Sequence, residues 1–320
     1  MTERLLRTLW RHRPAVLMLA IVASNAAPAS ARKAQPVSPP APVSAPATPE
    51  QRAAILAAID AAIAAGRLDS ARSMIGRTLP IDPSPEFQLR LAELALASGD
   101  IAGAGAQFTE LAAEPTLAAR AQQGLGLARL RQGNLPAATA AIEAALAAEP
   151  GLLRAWNARG VIADRQRDWP AADKAYAAVL AIDPRSVAAL TNRGYSRSLR
   201  ALYAKAETDL AAAAAIDPAS SITQTNLRFA RAMQGRYRDA FSGSTKETLA
   251  NDLNTVGFAA MARGDTEAAE TYFNRAMSLN TRFDRVAWAN IEYLRSHRKT
   301  QLDPDSVLAG DRSPGPTPRR

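Results

Sequence analysis

Residues 119–152 read ARAQQGLGLARLRQGNLPAATAAIEAALAAEPGL, residues 153–186 read LRAWNARGVIADRQRDWPAADKAYAAVLAIDPRS, and residues 187–220 read VAALTNRGYSRSLRALYAKAETDLAAAAAIDPAS. Written one above the other, the three lines keep the same punctuation. Pro150, Pro184 and Pro218 stand 34 apart, as do Gly126, Gly160 and Gly194, and Ala138, Ala172 and Ala206. Three independent markers on one period of this size indicate a stacked-repeat array, in which each unit buries its apolar face only against its neighbours.

The pattern continues outward in looser form. Gly66, Gly99, Gly133, Gly235 and Gly264 each precede an alanine by five residues: Ala71, Ala104, Ala138, Ala240 and Ala269. Glycine closes a first helix because it takes the left-handed C-cap conformation at little cost, and the small residue after it lets a second helix approach closely. Apolar residues recur at helical spacing, as at Ile55, Ile59 and Ile63, which marks the runs between turns as helices. The reading gives helix pairs over 52–84, 85–118, 119–152, 153–186, 187–220, 221–249 and 250–283, a solenoid over 51–283. The sixth is short, because PheSerGlySerThrLys at 241–246 interrupts a second helix that should begin near Tyr237. Residues 284–298, with Trp288, Ile291 and Leu294 assigned to one face, are expected to form a capping helix, since a last repeat would otherwise expose its apolar side.

These marks resemble the tetratricopeptide repeat. The best match is 153–186, where Trp156, Gly160, Ala172, Tyr176 and Pro184 stand at that family's Trp, Gly, Ala, aromatic and Pro positions. Arg159 replaces the usual leucine, and Ala163 the usual aromatic residue. The resemblance implies an all-α fold: a right-handed superhelical solenoid of about seven helix pairs with a C-terminal cap. The exported layout and the IleAspPro junctions further resemble repeat proteins of tight-adherence (Tad/Flp) pilus assembly, although many of those are lipoproteins and this chain lacks the cysteine that would carry a lipid.

Composition agrees with an all-α reading. The chain is 48% hydrophobic but only 5% aromatic, and alanine and leucine suit thin, close-packed helices better than strands. It has no cysteine, which excludes disulfides, a thiolate nucleophile and soft metal sites. His12 and His297 are its two histidines, too few for histidine-paired catalysis or an imidazole metal cluster. The first 31 residues carry Arg4, Arg7, Arg11 and Arg13 before an apolar run over 15–23, then Ala29-Ser30-Ala31. This is the layout of a secretory signal peptide cleaved after Ala31. The run is about half the ~20 residues a membrane span needs, so no stable transmembrane anchor is expected; an uncleaved anchor in the inner membrane is the alternative. Residues 32–50 are proline-rich and read as a disordered linker; residues 299–320 read as a disordered tail. Periplasmic localisation follows from these expectations.

No P-loop, G-x-S-x-G or H-E-x-x-H motif is present. The glycines around Ala104 coincide with a repeat turn and follow no strand. No catalytic, cofactor or metal site is expected, and the chain reads as non-enzymatic. In the repeat family the first helix of each pair lines a concave surface, so the resemblance places Gln123, Asn157, Thr191, Tyr195, Thr225, Phe229, Asn254 and Phe258 on a candidate partner-binding face, flanked by Arg120 and Arg154. Amide and hydroxyl groups beside an apolar row suit an extended peptide or a partner helix. The competing assignment for Tyr195, Phe229 and Phe258 is packing between repeats. The net charge is +9, of which +6 lies beyond the leader; it suits an acidic protein partner in the envelope, and is too modest for nucleic acid in an exported chain. The function expected is a protein-interaction scaffold or adaptor, with a regulatory subunit of an envelope enzyme as the alternative and an enzyme in its own right as the least supported.

Overall fold

A glycine makes the turn inside five of the seven units, and an Asp or Asn follows it in three of them, with the backbone built accordingly. The computed structural model describes residues 48–279 and 284–302; the leader, most of the proline-rich segment and most of the C-terminal tail lie outside the described residues. Gly66, Gly99, Gly133, Gly235 and Gly264 all have positive φ, between 69° and 93°. Asp100, Asn134, Asp168 and Asp265 then cap the following helix, each side chain accepting the backbone N–H three residues on at 2.9–3.2 Å. Two units reach the turn without glycine: Arg167 and Ala201 adopt φ 60° and 58°.

The described residues form fifteen helices and no strand. They are α1 (Pro49–Ala64), α2 (Leu68–Thr78), α3 (Pro85–Ser98), α4 (Ile101–Leu111), α5 (Ala118–Arg131), α6 (Leu135–Ala148), α7 (Leu153–Gln166) and α8 (Trp169–Ile182). Then follow α9 (Val187–Leu199), α10 (Tyr203–Ile216), α11 (Ser221–Met233), α12 (Tyr237–Ala240), α13 (Leu249–Arg263), α14 (Thr266–Leu279) and α15 (Arg285–Leu302). Thr48 caps α1 in a reciprocal box with Gln51, so that helix begins just inside the stretch read as linker. At the other end α15 runs to Leu302, past the expected end of the cap at 298. The architecture is all-α, helix pair after helix pair, in two compact bodies that divide between Gln224 and Thr225.

In the first body, the core repeats one device. Gly126, Gly160 and Gly194 on α5, α7 and α9 face Ile142, Tyr176 and Leu210 of the second helix in the same pair. A Cβ added to any of these glycines would lie 2.5–2.6 Å from the facing side chain. Glycine therefore buys the close approach of helix to helix that its poor helix propensity costs. Ile142, Tyr176 and Leu210 are fully buried, each worth roughly 2 kcal/mol of apolar burial. Ala138, Ala172 and Ala206, one turn earlier on those helices, are buried completely as well.

Units are tied to each other by arginines at first-helix ends. Arg131 donates to the carbonyl of Leu96, and Arg165 donates to the carbonyl of Leu130 at 3.2 Å. Each thereby adds a second donor to a C-terminal carbonyl of the preceding unit's first helix, which also accepts the N–H of its own turn glycine, Gly99 or Gly133. In the second body Arg263 donates to the carbonyl of Met233 at 2.6 Å. The junction words are structural too. Asp183 and Asp217 accept the backbone N–H two residues on, and Trp156 Nε1 donates to the carbonyl of Pro150 at 2.8 Å.

The second body contains the irregular sixth unit. Its second helix, α12, stops after four residues, and the segment after it turns through Gly243 at φ 80°. Phe241 and Tyr237 both pack on the ring of Tyr272, at centroid distances of 5.6 and 5.8 Å. On α15 the buried row is Ala287, Ile291 and Leu294. Trp288 is 47% exposed and does not share the inward face with Ile291 and Leu294. The reason is spacing: 287, 291 and 294 fall on one helical stripe, and Trp288 lies a residue to its side.

Candidate functional site

The first helices α3, α5, α7 and α9 pack side by side in the first body, so residues at equivalent places form rows across units. Arg120 and Arg154 lie on the first turns of α5 and α7 and are each about one-third exposed. Gln123, Asn157, Thr191 and Tyr195 are buried, with Asn157 and Thr191 at 1% and 0% exposure. The polar groups of Asn157 and Thr191 are used across units. Asn192 Nδ2 donates to Asn157 Oδ1 at 3.1 Å, and the hydroxyls of Thr191 and Thr223 bond at 2.8 Å. Thr223 also bonds Ser220 at 2.8 Å. Asn192 and Thr223 were not among the candidates, and their signal lies in the period: Thr223 stands where earlier units have Ala121, Ala155 and Ala189, and Asn192 where they have Gly124 and Ala158.

In the second body Thr225 is partly exposed, whereas Phe229, Asn254 and Phe258 are buried. The rings of Phe229 and Phe258 lie 6.1 Å apart at 31°, within the range of a favourable aromatic pair. Asn254 Nδ2 donates to Asp284 Oδ2 at 3.0 Å. In the first body the candidates thus divide into an accessible pair, Arg120 and Arg154, and buried side chains; in the second body Thr225 is the partly exposed one.

Asp164 is a strongly perturbed carboxylic acid of the first body. It is buried on α7, accepts the hydroxyl of Tyr176 at 2.7 Å, and accepts that of Ser196 at 2.6 Å. Desolvation raises its pKa to about 6, against the opposing pull of those two hydrogen bonds and of Arg200. The same burial, and then the Asp164 charge, lifts the Tyr195 hydroxyl to about 12. Arg200 is committed elsewhere, in a two-bond pair with Asp173 at 2.7 and 2.8 Å, and lies 5.7 Å over the ring of Trp169. Asp164 therefore joins α7, α8 and α9 and has the environment of a structural carboxylate. Among the described residues no three of His, Cys, Asp and Glu gather as a metal site.

Periodicity, the glycine-to-bulky packing and the paired helices define the tetratricopeptide-repeat class of fold. No known family's sequence profile matches the chain, and no curated protein matches it by sequence. Solved structures do. The Cut9-Hcn1 hetero-tetramer of APC/C matches at TM-score 0.61 and 13% identity, over 75% of this chain and 48% of that one, so the chain spans about half of it. A tetratricopeptide repeat protein from Parabacteroides merdae matches at TM-score 0.49 and 16% identity, over 76% of this chain and 98% of that one. PilW, described as a widely conserved type IV pilus biogenesis factor, matches at TM-score 0.43 and 21% identity, over 58% and 92%. At these identities the likeness is one of fold.

Proposed function

We propose that the chain is a non-enzymatic scaffold of the cell envelope, exported by its N-terminal leader, which holds protein partners against the row formed by its first helices. The observation that carries this reading is the side-by-side packing of α3, α5, α7 and α9. One helix type from successive units makes a surface long enough for an extended peptide or a helix, with amide and hydroxyl groups fixed along it. Arg120 and Arg154 form its accessible edge. Gln123, Asn157, Thr191 and Tyr195 are its assigned inner row, shaping the surface from beneath; Thr225, Phe229, Asn254 and Phe258 are the residues assigned to partner binding in the second body. A place in the assembly of a Tad/Flp-type pilus or secretion machine is the narrower form of the proposal, supported by the resemblance in layout.

The deciding experiment is crosslinking in intact envelopes, followed by capture of the full chain and mass spectrometry. Envelope proteins enriched together, with pilus components among them, are the expected result; recovery of the chain alone, or of cytoplasmic proteins only, overturns the scaffold. Asn157→Ala, Tyr195→Ala and Phe229→Ala, made separately, separate roles within the row. Reduced capture at unchanged melting temperature assigns a residue to binding. Lowered melting temperature with capture intact assigns it to packing between units.

A further inference from the structure

Glu93, Arg120 and Arg154 come together in the first body, with Arg131 coupled to Arg154, and the charges do not balance. Glu93 lies on α3, Arg120 and Arg131 lie towards opposite ends of α5, and Arg154 lies on the first turn of α7. Arg120 Nη2 reaches Glu93 Oε1 at 3.3 Å, and Arg154 Nη1 reaches the same oxygen at 3.9 Å. Both contacts are single and long, whereas an arginine and a carboxylate pair best through two parallel bonds at about 2.7–2.9 Å. The Nε of Arg154 is buried and makes no hydrogen bond. Arg131 spends an N–H on the carbonyl of Leu96; burial and then the positive charge of Arg154 pull its guanidinium below the usual range. One carboxylate thus faces two guanidinium groups, both with incompletely used forks, and the charge of Arg131 adds to that of Arg154.

The side chains of Arg120 and Arg154 are each 34% exposed, and that of Glu93 is 10%. An incoming anion therefore meets the arginines first. We propose that Arg120 and Arg154 form a seat for the carboxylate side chains of an extended acidic protein segment, with Glu93 as an internal competitor that holds the two forks until the partner arrives. This rests on the scaffold reading above and gives its partner a chemistry. An exposed ion pair contributes little, so a single free carboxylate is not retained here. A segment bearing several acidic residues, with its backbone laid along the helix row, supplies the remaining contact.

The test uses the full chain and a fluorescein-labelled deca-glutamate peptide, followed by anisotropy at low salt, with deca-glutamine as the uncharged comparison. Deca-glutamate is expected to bind at least about tenfold more tightly, and Arg120→Gln with Arg154→Gln to remove about that factor, the size expected for charge-assisted bonds. Glu93→Gln, which removes the competitor, is expected to tighten binding about threefold or more, where 1.4 kcal/mol is tenfold. Asp69→Asn changes the net charge equally at a fully exposed carboxylate and is expected to leave affinity unchanged.

Equal binding of the two peptides overturns the proposal. So does deca-glutamate affinity that survives in a double variant with an unchanged melting temperature, or an equal response to Glu93→Gln and Asp69→Asn. Should the double variant fail to fold, the Glu93→Gln and Asp69→Asn pair decides alone. Polyphosphate bound where deca-glutamate is not also overturns it, in favour of a polyanion. Envelope proteins still captured when deca-glutamate does not bind remove the acidic seat and leave the scaffold standing; loss of capture itself removes both.

Discussion

Compare the third to fifth units with the sixth, position by position. Gly126, Gly160 and Gly194 recur at a spacing that next reaches Arg228; Ile142, Tyr176 and Leu210 recur at a spacing that next reaches Ser244. The sixth unit has thus exchanged a glycine and a large side chain for an arginine and a serine at the same two places. Arg228 is 4% exposed, donates to Ser244 Oγ at 3.4 Å, and pairs with the buried Asp252 at 2.9 Å. Thr248 donates to the other carboxylate oxygen of Asp252 at 2.8 Å. A knob in a hole has become a buried charge network. With a charge where the apolar contact belongs, the second helix has nothing to pack its next turn on, and α12 ends at Ala240. The interruption at 241–246 is therefore a substitution of one kind of cohesion for another.

The largest test breaks the substitute. Arg228→Gly, which gives the sixth unit the residue of its neighbours, leaves Asp252 buried without its cation and is expected to cost about 3–5 kcal/mol in urea unfolding. Adding Asp252→Asn and Ser244→Leu is expected to recover most of that loss if the regular packing is portable; no recovery shows that the body has committed to the polar form.

Asp164 provides the regular region's own polar exception. Its folded pKa of about 6 lies above the ordinary 3.8, so the folded state holds the proton more tightly than the unfolded chain does. Protonation therefore stabilises, and that stability is lost as pH rises from about 4 to 6, by up to about 3 kcal/mol. Melting temperatures taken between pH 4.5 and 7.5 are expected to fall with pH in this window, and Asp164→Asn to flatten the fall. A parallel decline in both proteins would assign it to other groups.

Gly160→Ala adds a methyl 2.5 Å from the Tyr176 ring. Overpacking of this kind costs about 1–3 kcal/mol, which outweighs the roughly 1 kcal/mol that alanine gains as a helix former. A melting temperature that does not drop would mean the pair of helices can part without penalty. The smallest effect concerns the turn of the fifth unit, where Ala201 takes positive φ and Leu202 offers no cap. Ala201→Gly with Leu202→Asp restores what Gly133 and Asn134 supply two units earlier, and is expected to raise stability by about 1 kcal/mol.

What could be read in advance follows from range. Turn glycines, the small residues after them and the helical period are local or strictly periodic, and one chain displays them repeatedly. Residues that break the period without a local signal were opaque. Arg167 and Ala201 occupy glycine turns because flanking helices hold them there, and nothing nearby in sequence announces it. Candidate positions such as Asn157 and Thr191 were found by place within the unit. Their burial and their bonds to Asn192 and Thr223 depend on neighbours more than thirty residues away. The placement of Trp288 errs by one residue: the stripe expected through Trp288, Ile291 and Leu294 runs instead through Ala287, Ile291 and Leu294.

The arginines that reach back one unit give the array a direction. Arg131 completes the end of α3, Arg165 the end of α5, and Arg263 the end of α11, always the later residue serving the earlier helix. A unit leaving the ribosome is therefore unfinished until its successor has been made. The order of synthesis is also the order in which these ties close, and loss of a later unit removes the donor that reaches back to the helix before it.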